Sequence, residues 1–464
     1  MRSLVIVMTV LLAGCSLTPE LTKPAAPIPE NFANQNSVGT PSSYTISDLG
    51  WRNMFRDKRL QALIELALAN NRDLRIATLN VDAVKAQYGI ARAERLPNIG
   101  VTLDSTKQRS VTTDGGENTS QIQKQSGLSL GISAFEIDLF GRARSMSKAA
   151  FARYLASDYG HQAAQMALIS AISEAYFAEQ IAYEQLTLAE NTLTDWQQSL
   201  KITLQLRKAN QGSELDVAQA EGQVASAEAT LIANQRSLSQ AKNLLRLLVG
   251  ADIPTNLPAS DLFSDQAVAT SLSPGLPSDL LLHRPDILQA EQNLIAANED
   301  IGVARAAYFP RISLTSSIGY ASQDMKSLVG SDNATWSFAP QINLPLFQGG
   351  KLDAELALAK VRKSTTIAEY EKAIQTAFKE VADGLVGSET YQLQTTAQKK
   401  VVSAAERRAR LSNLRYQAGI ERRLELLDAQ RQLYVAKQTL LDLKQQELNN
   451  AVFLYKALGG RLEL

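Results

Sequence analysis

A chain of 464 residues has length enough for several ordinary domains, and its Lys+Arg and Asp+Glu balance at 47 each. It therefore carries neither the basic surplus that nucleic acid requires nor an acidic solvating tail. Its single cysteine excludes an internal disulfide, and His161 and His283 are too few beside it to build a zinc or haem site.

Residues 1–14 carry Arg2 ahead of an apolar run from Leu4 to Leu12, shorter than a membrane-spanning helix, and read as a signal peptide. The run closes on Leu12-Ala13-Gly14-Cys15, which resembles a bacterial lipobox. Cys15 is therefore expected to be the lipidated amino terminus of the mature chain, with no other cofactor. Ser16 follows, where lipoproteins kept in the inner membrane commonly carry Asp, which favours the outer membrane. Residues 15–57 form a tether, in which Pro19, Pro24, Pro27, Pro29 and Pro41 oppose helix and ladder strand alike.

The remainder is a tandem duplication. A helical pattern from Lys58 to Leu96, with Leu63, Ala67, Leu74 and Ala77 on one stripe, stops at Pro97. The joint ARAERLPNIGVT (Ala91–Thr102) returns as ARAAYFPRISLT (Ala304–Thr315), where Pro310 separates helical spacing from strand alternation. Repeat 1 covers 58–250 with a β-hairpin at 98–140, and a linker follows at 251–272. Repeat 2 covers 273–460 with a hairpin at 311–347, and 461–464 is a tail. In the first hairpin, strands from Ile99 to Lys107 and from Leu128 to Ile137 are expected to flank a turn-rich loop, Thr112–Asn118. In the second, Trp336, Phe338, Ile342 and Leu344 share a face.

After each hairpin comes a rod of helix, Gly141–Asn210 and Lys351–Gln417, then a break at Gly212 or Gly419 and a return helix. Ile367, Tyr370, Ile374, Ala377 and Val381 follow the alternating three-and-four spacing of a coiled coil. Four membrane-length strands cannot close a barrel, and an open edge in lipid leaves backbone groups unsatisfied, so the strands must be pooled between chains. A homotrimer would supply twelve strands, an even number inside the observed range.

The chain resembles the outer-membrane channels of tripartite efflux pumps, the TolC and OprM group, in its lipid-anchored branch. The resemblance is carried by Leu12–Cys15, by ALANNRDL at 67–74, by Arg284-Pro285-Asp286-Ile287, by Phe309-Pro310, by LLDAQR at 426–431 and by LYKALGG at 454–460. It implies a fold that is mainly α with membrane β: per chain four strands and long coiled-coil helices in two tandem repeats, assembled as a trimer with a 12-stranded β-barrel and a 12-helix tunnel. The implied partners are outer-membrane lipid, a periplasmic adaptor and an inner-membrane transporter of the resistance-nodulation-division class, with drugs and toxic small molecules as cargo. Protein secretion or metal-ion efflux is the alternative within the channel class.

The resemblance also places the turns at Gly212 and Gly419 against the adaptor, where glycine is expected to supply a left-handed backbone. It assigns the gate to Leu424, Glu425, Asp428, Arg431 and Tyr416. Glu425 and Asp428 share a helix face, and three-fold symmetry would make them acidic rings. Where some relatives carry an arginine two residues past the turn glycine, this chain has Glu421, followed by Arg422 and Arg423, for which Asp216 is the expected partner. No enzyme is expected: neither the stretch His283–Asp286 nor Phe347–Lys351 has the spacing of a kinase loop or a phosphate loop.

Overall fold

The computed structural model describes residues 16–27, 50–114, 117–261, 268, 283–460 and 462, so Cys15 and its lipobox lie outside the described residues. Helices α1 (Trp51–Met54), α2 (Lys58–Asn70) and α3 (Arg72–Ala93) come first among the helices described. Where the apolar stripe predicts one helix from Lys58 to Leu96, the structure breaks it at Asn71. The backbone of Asn71 is extended, and its side-chain oxygen accepts the Leu74 amide at 2.9 Å, so it caps α3. Asp57 caps α2 in the same way through the Arg59 and Leu60 amides, and its second oxygen accepts the buried Tyr176 hydroxyl at 2.9 Å.

Strands β1 (Ile99–Asp114), β2 (Glu117–Glu136), β3 (Arg311–Ser322) and β4 (Ala334–Asn343) form one antiparallel sheet in the order β1-β2-β3-β4. The first hairpin is longer than predicted. Its ladder runs without slip from Ile99↔Ile132 to Asp114↔Glu117, so most of the expected loop at 112–118 is strand. Val101, Leu130, Ile318 and Trp336 pair in one row across all four strands and are 68, 46, 61 and 78 % exposed. The next row, Thr102, Ser129, Gly319 and Thr335, points to the other face and is polar or small. A bulge between Ile132 and Phe135, with Ala134 at φ 50°, shifts the register beside β3. Among the described residues β1 and β4 are each paired on one side only.

Two long hairpins complete the chain: α4 (Arg142–Lys208) with α5 (Glu214–Val249), and, after α6 (Pro285–Ala306) and the second strand pair, α7 (Lys351–Gln417) with α8 (Arg423–Ala457). The helices α4 and α7 have 67 residues each, roughly 100 Å of rod at 1.5 Å per residue. Helix α6 ends four residues before Pro310, which cannot donate to a helical ladder.

The chain divides into two compact units. The first holds residues 1–25, 80–158 and 289–370. Within it the segment after Ser16 lies along α6: the Leu17 carbonyl accepts from Arg305 at 3.1 Å, Thr18 donates to Glu299 at 2.9 Å, and Lys23 pairs with Glu291 at 2.6 Å. Gly302 leaves the room for this path, since a Cβ there would stand 2.2 Å from the Thr18 hydroxyl. The second unit holds residues 26–79, 159–288 and 371–464, with a core built on Trp51, Phe55, Leu63, Ile172, Tyr176, Phe177, Val452 and Tyr455. Burying side chains of this size stabilises the unit by about 1.5 to 3 kcal/mol each before conformational entropy is counted.

The duplication is visible in this second unit as one joint built with two chemistries. In repeat 1 the Asn71 side-chain amide nitrogen donates to the Leu248 carbonyl at the end of α5, at 2.7 Å. In repeat 2 the corresponding residue is Arg284, which donates to the Ala457 carbonyl at the end of α8, at 2.8 Å. Arg284 also binds Asp286 and Glu380, each at 2.7 Å, while being almost fully buried. Gly250 and Gly459 close α5 and α8 at φ 72° and 71°, and a Cβ on either would press on the backbone of Asn70 or on His283 and Arg284.

Candidate gate at the hairpin turns

The two hairpin turns share one backbone. After α4 the Gln211 amide donates to the Leu206 carbonyl at 2.9 Å and Asn210 to Arg207 at 3.1 Å. After α7 the Ile420 amide donates to the Arg415 carbonyl at 3.0 Å and Gly419 to Tyr416 at 3.0 Å. Each pair is a Schellman closure, which needs one left-handed residue. In the second turn that residue is Gly419, at φ 69°, as expected. In the first it is Asn210, at φ 56°, and not Gly212. Asparagine tolerates the left-handed region better than other side chains, so the turn forms without glycine there. Gly212 occupies the place of Glu421, close against the end of α4, where a Cβ would stand 3.3 Å from the Arg207 amide.

Asp216, the expected partner of Arg422 and Arg423, caps its own helix. It is the third residue of α5 and forms a capping box with Ser213: its carboxylate accepts the Ser213 amide at 3.0 Å, and its own amide donates to the Ser213 hydroxyl at 3.1 Å. The Ser213 side-chain hydrogen bond, followed by the bond from its backbone amide, holds the Asp216 carboxyl below its ordinary range, and the positive field of Arg423 adds a smaller push. Within the chain Arg423 instead spans to α4, donating to the Ser199 hydroxyl at 2.8 Å and its carbonyl at 3.2 Å. Glu421 is held by Ser412 and Arg415, both at 3.0 Å.

On α8 the sequence-derived residues lie on successive turns. Asp428 accepts from Arg431 at 3.0 Å and from Gln432 at 3.0 Å, both on its own helix. Its second cation comes from α7: Arg408 reaches Asp428 at 2.9 Å and lies 3.9 Å from Glu425. Arg408 also hydrogen-bonds Gln432. Leu424 is 63 % exposed, whereas Leu427 is buried against Trp196 and Ala227. Exposed Glu425, half-buried Asp428 and apolar Leu424 thus share the outer side of a helix whose other side is packed, and Tyr416 sits half-buried at the end of α7. The sequence reading missed Arg408 because helical spacing links residues only along one helix. Its signal lies in the hairpin, since Arg408 and Asp428 stand at similar separations on either side of Gly419 and face each other across an antiparallel pair.

The model of the outer membrane efflux protein family matches this chain over residues 63–251 and 276–460. The chain belongs to that family. These two matched segments fall on the two repeats. As an outer membrane efflux protein it is 42 % identical over 462 residues to the solvent efflux pump outer membrane protein SrpC of Pseudomonas putida, covering 99 % of this chain and 98 % of that one. It is 38 % identical over 450 residues to the cation efflux system protein CusC of Escherichia coli, covering 97 % of this chain and 96 % of CusC. The open state of the MtrE outer membrane channel of Neisseria gonorrhoeae superimposes with a TM-score of 0.88 at 38 % identity, covering 96 % of this chain and 98 % of MtrE.

Proposed function

We propose that this outer membrane efflux protein is the exit channel of a tripartite pump, passing toxic small organic molecules from the periplasm to the exterior through a passage gated at the hairpin turns. The observation that carries this reading is the four-stranded sheet. One face is an exposed apolar row, the other is polar, and among the described residues both edges stand open in a chain that also supplies four long helices. Apolar residues facing lipid and polar residues facing a lumen are what a barrel wall requires, and open edges in lipid demand another chain.

In this reading three copies pair β1 of one with β4 of the next, and their helices line a tunnel that narrows at Leu424, Glu425 and Asp428. The turns at Asn210–Ser213 and Gly419–Arg422 meet a periplasmic adaptor, which links the tunnel to an inner-membrane transporter of the resistance-nodulation-division class. A lipid on Cys15 tethers the mature chain to the outer membrane. The path of residues 17–23 along α6 supports an ordered course for the segment that follows it.

The test is co-purification from native membranes in mild detergent, paired with deletion of the gene. Recovery of an adaptor and an inner-membrane transporter, together with raised susceptibility to organic solvents and drugs, is the expected result. Recovery of neither, with unchanged susceptibility to every organic toxicant tried, would sink the assignment.

A further inference from the structure

A cavity of about 120 Å³ lies in the second unit between α4, α5 and α8, close to the Asp428 cluster. Enclosed cavities of roughly 150 Å³ accept benzene, so this smaller one, open on one side, takes a single ring only with part of it left outside. One wall is the indole of Trp196, only 7 % exposed, and Ala189 gives a second apolar surface. Stacking or edge contact on an indole favours an aromatic occupant over an aliphatic one of equal size.

The polar lining is asymmetric. The Thr192 and Thr230 hydroxyls donate to carbonyls of their own helices, Leu188 at 2.7 Å and Ser226 at 2.9 Å, and so offer an occupant lone pairs only. The cavity has one charged lining residue, Arg431, and no carboxylate. One guanidinium nitrogen of Arg431 is committed to Asp428 at 3.0 Å, and the planar fork carries further donors. A slot walled by the Trp196 indole, Ala189 and Ala227, ringed by neutral polar groups of Thr192, Gln223, Ser226, Thr230 and Tyr434 and carrying one guanidinium, matches a ring bearing a carboxylate.

We propose that this cavity is a binding site for monocyclic aromatic anions, with the ring against Trp196 and the carboxylate on Arg431. The site is lined by one chain, and its cation, Arg431, is one of the two that neutralise Asp428. A carboxylate bound to the remaining donors shares the Arg431 charge with Asp428 and so loosens the gate contact. This consequence rests on the gate reading above, whereas binding itself does not.

The test uses the full chain in detergent and 4-fluorobenzoate observed by fluorine NMR, with fluorobenzene as the neutral control. Saturable binding of the anion is expected, weakened about tenfold or more by Arg431→Ser, roughly the loss of one charge-assisted contact. Thr230→Leu, and separately Ala189→Leu, should fill the slot and abolish it. Binding that does not saturate, or that survives both filling substitutions in folded protein, overturns the site. So does fluorobenzene binding as tightly as the anion. Benzoate should also raise single-channel conductance of the parent. If it binds without doing so while Arg431→Ser does open the channel, the coupling is wrong. If Arg431→Ser leaves the channel closed, it is the gate assignment that fails.

Discussion

Arg408 on α7 and Asp428 on α8 are joined at 2.9 Å across the second hairpin, so Asp428 is clamped to its own hairpin and also to Arg431 on its own helix. The clamp leaves Glu425, 3.9 Å from Arg408, as the less neutralised acid. If three copies bring these groups around one bore, Asp428→Ala with Glu425→Ala should reduce cation preference and divalent block. Reversal potentials in asymmetric salt would measure this, and an unchanged selectivity would place the acidic constriction elsewhere.

Arg284 is the second place where a single side chain holds several elements. Its guanidinium is almost fully buried on Ala457, Asp286 and Glu380, and these carboxylates, set against its desolvation, hold it firmly protonated. Arg284→Met should destabilise the second unit by about 3 to 5 kcal/mol, because it strands Glu380 and the Ala457 carbonyl. Arg284→Lys should recover only part, lacking the fork that serves three acceptors. Thermal loss of helical circular dichroism checks both, and a melting curve like the parent's for Arg284→Met would contradict the role.

How far the fold can be read from the sequence depends on how local the deciding interaction is. Strand alternation and the proline joints act over a few residues, and the existence of the hairpins and the ends of the long helices follow from them. Asn71 is also local, but its capping bond competes with an apolar stripe that runs through it from Leu63 to Ala77, and the stripe is the louder pattern. Asn210 shows a third case: two residues near the turn could take the left-handed backbone, and the hydrogen-bond register of the helix end decides between them. Arg408 and the Ser199–Arg423 bridge are legible only after the hairpins have been folded, because they join residues far apart in sequence.

The two turns make a conformational prediction. A Cβ at Gly419 meets nothing within 4 Å, so the cost of Gly419→Ala is backbone strain alone, roughly 1 kcal/mol. Asn210→Gly removes the corresponding strain in the first turn and should be neutral or slightly stabilising. Amide exchange at Ala418–Ile420 should accelerate in the first variant, and exchange at Asn210–Gln211 should not accelerate in the second. Equal acceleration in both would contradict the assigned left-handed positions.

The capping box at the start of α5 sets a pH dependence. The Asp216 carboxyl is held below its ordinary range by Ser213, so its contribution is complete above the unfolded value, near 3.8, and is lost as pH falls through the lower folded value. Because the turn is exposed the effect is small, and it appears as local fraying. Exchange at Ser213 and Asp216 should rise as pH drops below about 4 by more than the intrinsic rate predicts. Asp216→Asn should already show the frayed level at neutral pH, and a protected first turn in that variant would refute the linkage.

The most direct test of the account is single-channel conductance in planar bilayers, comparing the parent with Arg431→Ser, Arg408→Gln and the double variant. Each arginine contributes at most about 1 kcal/mol at such partly exposed positions, so either single substitution should open the channel only partly. The double variant frees Asp428 from both of its cations, leaving like charges to repel, and should give stable openings of several times the parent conductance. Conductance in the double variant equal to that of the parent would show that the closed state is held elsewhere and that the Asp428 cluster is not the gate.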